Sequence, residues 1–140
     1  MEKQKDPNAT ARYFETKDRF GSLLGGRIVS LTADECVYEY VVRPEHFNPT
    51  GILHGGALYG AMDSSQGCFI HYTLDEKLYK YAATGTATIK YTAPVTSGTI
   101  RIRSWLKGQE RRKIFISSTA TDEKGTIVAT LEEIWVAILK

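Results

Sequence analysis

The stretch His54-Gly55-Gly56-Ala57-Leu58-Tyr59-Gly60-Ala61-Met62-Asp63-Ser64-Ser65-Gln66-Gly67-Cys68-Phe69-Ile70 decides the fold. Its residues are small or apolar, and Asp63 is the only Asp, Glu, Lys or Arg between Glu45 and Asp75. With no proline inside it, the run predicts one long helix from Gly55 to about Leu74. Gly60 and Gly67 weaken that helix intrinsically, but they let other backbone and side chains come close. The helix is therefore expected to be tightly wrapped by the rest of the chain. A lone carboxylate in such a helix is costly to bury unless something uses or satisfies it, and desolvation strengthens a carboxylate as a base.

Outward from the helix, the pattern changes on both sides. On the N-terminal side, Pro44, Asn48-Pro49 and Gly51 mark Pro44–Leu53 as a loop. Before it, Arg27–Leu31 and Cys36–Val42 read as strands, the second with clear period-two alternation. Residues 1–8 are expected to be a frayed tail, with Asn8 or Thr10 capping a short helix. Tyr13, Phe14, Phe20, Leu23 and Leu24 carry that helix to a stop at Gly25-Gly26. On the C-terminal side, Ala82–Ala93, Thr99–Lys107, Lys113–Thr121 and Thr126–Ala137 alternate as strands. Gly108-Gln109-Glu110 and Asp122-Glu123-Lys124-Gly125 are turn signals between them. Short connections favour an antiparallel meander over βαβ units. The expected class is α+β, a single domain over residues 1–140 in which about six strands pack against one central helix.

Composition bounds the function. The chain has 140 residues, 42% hydrophobic and 24% charged, with a net charge of +2. That is an ordinary globular balance and gives no basic excess for general nucleic-acid binding. No apolar stretch reaches the ~20 residues that span a bilayer, and the polar start Met1–Asp6 lacks the apolar core of a secretory signal. Cys36 and Cys68 have no C-x-x-C spacing and read as buried thiols, and the three histidines show no metal-ligand spacing. A reduced, cytoplasmic setting is expected, with no nucleic-acid, membrane or metal partner.

The chemistry converges on four positions: Asn48, His54, Gly55 and Asp63. A helix that starts on glycine presents free N–H groups at the positive end of its dipole. A carbonyl oxygen placed there has its developing negative charge stabilised, and Gly55-Gly56 lets a bulky group approach the backbone. Asp63 can act as base or nucleophile, but it lies roughly 12 Å along the helix from Gly55, too far to act on the same carbonyl. Two copies packed antiparallel solve this, with the helix start of one facing Asp63 of the other, so the spacing predicts a homodimer with shared sites. Arg101, Arg103, Lys107, Arg111, Arg112 and Lys113 cluster in one hairpin and are candidates to meet phosphates.

The segment Asn48-Pro49-Thr50-Gly51-Ile52-Leu53-His54-Gly55-Gly56-Ala57-Leu58, with Asp63 nine positions after His54, resembles the hotdog-fold acyl-CoA thioesterases. It is most similar to the branch with the phenylacetate-pathway (PaaI-type) enzymes and the mammalian thioesterase superfamily members. The resemblance extends from Asp18-Arg19-Phe20-Gly21-Ser22-Leu23-Leu24-Gly25 through Ile89-Lys90-Tyr91-Thr92-Ala93-Pro94 to the last two strands. It implies a hotdog fold in which the sheet wraps the central helix, and a homodimer doubled to a homotetramer. It also implies hydrolysis of an acyl-CoA to free acid and coenzyme A without any metal or redox cofactor. In such a site Asp63 activates water or attacks directly, and the Gly55 N–H of the other subunit polarises the carbonyl. Asn48 and His54 shape the site, and Thr84 stands where relatives often carry a water-orienting serine. The Lys107–Arg112 turn is one residue longer than in some relatives.

Each residue also has a plain structural role open to it. His54 can bond a backbone carbonyl, Asn48 can make a turn before Pro49, Thr84 can be a β-former, and Arg111-Arg112-Lys113 can be a solvated hairpin tip. Two other functions fit the same residues. One is a non-catalytic acyl-CoA binder, disfavoured because about 25 residues before the first strand leave no room for a DNA-binding domain. The other is a dehydratase or hydratase that pairs His54 with Asp63.

Overall fold

The structure, a computed structural model, describes residues 5–140. Its order is α1 (Pro7–Lys17), α2 (Arg19–Leu24), β1 (Arg27–Leu31), β2 (Cys36–Val41), a 3-10 turn (Pro44–His46), α3 (Gly55–Thr73), β3 (Tyr79–Tyr91), β4 (Thr99–Glu110), β5 (Lys113–Thr121) and β6 (Ile127–Leu139). The six strands form one antiparallel sheet in the order β1-β2-β4-β5-β6-β3. α3 packs against β2, β3, β4 and β5, as a central helix wrapped by the sheet. No helix of the described residues is long and apolar enough to cross a membrane.

The N-terminus departs from expectation. Residues 1–4 of the expected tail lie outside the described residues. From there the chain is ordered: Lys5 Nζ donates to the carbonyl of His71 at 2.7 Å and pairs with Glu76 at 3.0 Å. The cap of α1 is Asp6, whose side chain accepts from the Asn8 N–H, with Pro7 at the first helical position. The expected single helix is two. Asp18 breaks it and caps α2 by accepting from the Gly21 N–H at 3.1 Å. Both helices lie on α3, close enough that a Cβ on Gly60 would sit 2.4 Å from the Phe20 ring. The absent side chain at Gly60 is what admits α2.

The meander holds only for β4, β5 and β6. β3 pairs with β6, at the far edge from β1. Residues 92–98 therefore cross from one side of the sheet to β4, three strand spacings or about 14 Å away. Seven residues reach that far easily at ~3.3 Å each. β4 also runs past its expected end. A bulge at Lys107, between Leu106 and Gly108, lets Gly108-Gln109-Glu110 continue the strand, and the turn is Arg111-Arg112, with Arg111 at φ 57°. Leu106, level with the buried Ile116, stays on the side of Ile100 and Ile102 but is exposed.

A chain of buried polar side chains crosses the core under α3. Ser65 Oγ meets Ser104 Oγ at 2.8 Å, Ser104 meets Ser118 at 2.7 Å, Gln66 Nε2 donates to Ser118 at 2.8 Å, and Trp135 Nε1 donates to Gln66 Oε1 at 2.8 Å. Every buried group in it is satisfied, so it fixes how α3 is rotated against β4, β5 and β6. Gln66→Leu strips the acceptor from the Trp135 N–H and a donor from Ser118. It is expected to lower unfolding stability by about 2–4 kcal/mol, read from the urea midpoint at unchanged slope. Cys36 and Cys68 are free, wholly buried and adjacent, and their mutual hydrogen bond and burial raise the Cys68 thiol far above the usual range.

Candidate active site

α3 begins where His54 leaves the helix in extended conformation. Its Nδ1 accepts the Gly56 N–H at 2.8 Å, so His54 caps the helix. The Gly56 amide is thereby occupied, and what remains to it is the close approach to the backbone expected of Gly55-Gly56. The neighbouring Gly55 N–H has no acceptor among the described residues, as expected of the first amide of a helix. The Gly55 carbonyl accepts from the Tyr91 hydroxyl at 2.6 Å, which pins the helix start to β3. Asn48 folds onto its own loop: its Oδ1 accepts from Thr50 N–H at 3.0 Å and Ile52 N–H at 3.3 Å, an Asx turn that positions the approach to His54. His46 is buried, and burial lowers its pKa. It accepts the Arg43 N–H and sits edge-on to Tyr40.

Two turns further on, Asp63 is half-buried and meets Thr84, whose Oγ1 donates to Asp63 Oδ1 at 2.9 Å. Thr84 lies just before the bulge in β3 between Thr84 and Thr86 and is level with Trp135, on the side of the sheet that faces the helix. Tyr59 and Asp63 stand one turn apart on one face of α3, and the carboxyl of Glu133 on β6, bound to Tyr59, is close enough to Asp63 to feel its charge. Glu133 is 1% exposed. Its Oε1 accepts from the Tyr59 hydroxyl at 2.8 Å, and its buried Oε2 has no donor. Burial first, and then the hydrogen bond and charge of Asp63, push the Glu133 carboxyl up to about 8, against the pull of the Tyr59 hydroxyl. Burial and the Glu133 carboxyl raise the Tyr59 phenol well above its usual range, so it stays a donor.

A cavity of about 300 Å³ opens beside Asp63 and runs along α3 beneath α1. Phe14, Gly67, Ile70, Leu74 and Trp135 line its apolar part, and Lys5 and Lys80 lie at its charged side. A Cβ on Gly67 would stand 3.4 Å from Phe14 and 3.5 Å from Trp135, so this glycine keeps the passage open.

The basic residues separate into two groups. Arg101 is bound to Glu39 at 2.6 Å and Arg103 to Glu35 at 2.6 Å. Both pairs stand on β4 and beside β2, away from the hairpin tip, and these two arginines are taken up by their partners. Arg111, Arg112 and Lys113 form the exposed tip. Lys113 is level with Val136, which is level with Ala83 beside Thr84. The tip therefore lies two strand spacings, about 10 Å, from the Thr84 backbone.

The chain matches the family described as a domain of unknown function, DUF4442, over residues 9–136. It belongs to that family. Among solved structures, this DUF4442 chain is similar to a mutant of the thioesterase PA1618 from Pseudomonas aeruginosa, at 16% identity and TM-score 0.87 over 99% of this chain and 97% of that one. It is also similar to the E. coli PaaI protein from the phenylacetic acid degradation operon, at 18% identity and TM-score 0.85 over 94% and 93%. The TT0310 protein from Thermus thermophilus aligns at 25% identity and TM-score 0.77 over 88% and 99%. No curated protein matches by sequence. These likenesses establish the hotdog fold.

The DUF4442 site thus brings Asp63 and Thr84 together within one chain and leaves Gly55 at the other end of α3. It also contains two residues that sequence reasoning passed over, Glu133 and Tyr59. Glu133 carried a readable signal. Ala129, Leu131, Glu133, Trp135 and Ala137 share one side of a period-two strand, which turns a carboxyl toward the core.

Proposed function

We propose that this protein is a thioester hydrolase that cleaves an acyl-CoA to free acid and coenzyme A. The observation that carries the reading is Asp63: a half-buried carboxylate, oriented by the Thr84 hydroxyl, at the wall of a cavity with an apolar part along Phe14, Ile70, Leu74 and Trp135. The thioesterases among the solved structures of the same fold support it.

The Asp63 carboxylate takes a proton from water, and the hydroxide oxygen bonds to the thioester carbon. The carbonyl electrons move onto oxygen, and the Gly55 N–H stabilises that charge. When the carbonyl re-forms, the carbon–sulfur bond breaks, and the departing sulfur takes the proton from Asp63. Direct attack by Asp63 through an anhydride uses the same geometry. The apolar part of the cavity receives the acyl chain.

The Gly55 amide and Asp63 belong to different ends of α3, so the complete site uses two chains. β3 supplies the means. It is a 13-residue edge strand with one side unpaired, and Tyr81 and Tyr91 are exposed on it. Antiparallel pairing of two β3 edges covers a long exposed edge and sets two α3 helices side by side. Face-to-face packing of two such dimers gives the tetramer.

The test is thiol capture across a panel of short, aromatic and long acyl-CoA substrates. Release of coenzyme A is expected from at least one class, and release from none rejects the reading. Turnover of enoyl-CoA by hydration, with saturated thioesters inert, favours the hydratase instead. At the hairpin tip, replacing Arg111, Arg112 and Lys113 together by Gln is expected to raise KM for acyl-CoA several-fold and to blunt its salt dependence. KM for the matching acyl-pantetheine, which lacks the nucleotide phosphates, should not change.

A further inference from the structure

Glu133 is the most buried acid among the described residues, and nothing in the hydrolysis just described uses it. It is 1% exposed on β6, and it is flanked by Ala87 on β3 and Ile116 on β5. From α3 it faces Asp63 and Tyr59, and Tyr91 on β3 lies beside Tyr59. Among the described residues no cation is paired with it. One oxygen accepts from Tyr59 at 2.8 Å. The other is buried without a donor, and Asp63, one helical turn from Tyr59 on the same face of α3, is the acidic neighbour whose charge it feels. Two ionised carboxylates cannot share such a place: each is only an acceptor, and both charges would be unpaired. A single proton between them resolves both problems, because a protonated oxygen donates where an ionised one has no partner.

We propose that Glu133 is a positioning residue for Asp63: as a neutral acid it donates a hydrogen bond from its otherwise unpartnered oxygen to the Asp63 carboxylate, while Tyr59 holds its other oxygen. With Thr84 on one side and Glu133 on the other, the Asp63 carboxylate is locked in one orientation, and its remaining lone pairs face the cavity. The proton belongs to the pair, and its loss at high pH puts two negative charges in contact. The catalytic part of this role rests on the thioester reading, whereas the shared proton does not.

The sign of the pH effect follows. Glu133 titrates near 8 in the folded chain and near the ordinary carboxylate value of 4.5 when unfolded. The folded state therefore holds the extra proton between these values, and stability falls as pH rises through that window.

Three readouts on the wild type, Glu133→Gln, Glu133→Ala and Asp63→Asn test this. Infrared difference spectra of wild type minus Glu133→Gln at pH 7 are expected to show a protonated-carboxyl stretch that disappears above about pH 8. In Asp63→Asn, which removes the neighbouring charge, that stretch should vanish at lower pH. Unfolding stability of the wild type should decline from pH 5 to pH 9 relative to Glu133→Gln, whose amide mimics the protonated acid. The kcat/KM for thioester should show an alkaline limb in the wild type and none in Glu133→Gln. Glu133→Ala should lose at least tenfold in kcat, and Gln should restore most of it. Absence of the protonated band at pH 7, or a stability profile unchanged by Glu133→Gln, overturns the proposal. The first two readouts need no substrate. If no thioester is cleaved they still decide it, and if Asp63-dependent cleavage is found without the band, this proposal falls alone.

Discussion

Replacing Asp63 by Asn lowers kcat/KM for the best acyl-CoA by about 10²–10⁴-fold, the range a positioned base contributes. The fold survives, because the introduced amide retains an oxygen to accept from Thr84 and gains an NH₂ group to face Glu133. The measurement is free-thiol release against substrate concentration, paired with a urea melt of the same preparation. Loss of turnover with an unchanged melt places the chemistry on the carboxylate. Turnover at the wild-type level in a folded Asp63→Asn variant removes Asp63 from the mechanism and the hydrolase reading with it. Single turnover in heavy-oxygen water separates the two roles of Asp63, since a nucleophile carries the label in its own carboxylate and a base does not.

Gly55→Pro removes one N–H at the first helical position, where proline fits the helix and follows an extended His54. The added ring carbons approach the Tyr91 ring, whose hydroxyl bond to the Gly55 carbonyl must shift to admit them. The expected loss is about 10²–10³-fold in kcat, the effect of deleting one oxyanion donor. Mixing the two disabled proteins is more informative than either variant alone. If sites are shared across a two-fold axis, a dimer of one Asp63→Asn chain and one Gly55→Pro chain contains one fully intact site and one doubly damaged site. Random re-pairing from denaturant then restores about a quarter of wild-type activity. Activity that stays at the level of the separate variants shows that Gly55 and Asp63 never meet across an interface.

The long helix and all six strands were legible because apolar period carries that information locally. α3 begins at Gly55 as expected, and Gly60 and Gly67 are where α2, α1 and Trp135 approach it. Strand order was not legible. β3, β4, β5 and β6 alternate alike, and nothing in alternation distinguishes β3 beside β4 from β3 beside β6. The bulges at Thr84/Thr86 and Leu106/Gly108 were hidden for the same reason: one extra residue reverses the faces of all that follow it. At the site, Asp63 and Gly55 stood out by composition. Glu133 did not, because a glutamate in a strand ordinarily points to solvent.

The sequence by itself determined a glycine-led helix with one carboxylate, the strands around it, and the separation of Gly55 from Asp63, since all of these follow from local chain geometry. Only the tertiary structure decided what the carboxylate touches. Thr84 is 21 residues from Asp63, and Tyr59 and Glu133 are 74 residues apart. Contacts at such separations depend on how the sheet curls around α3, which is set by the packing of the whole core and by no single segment within it.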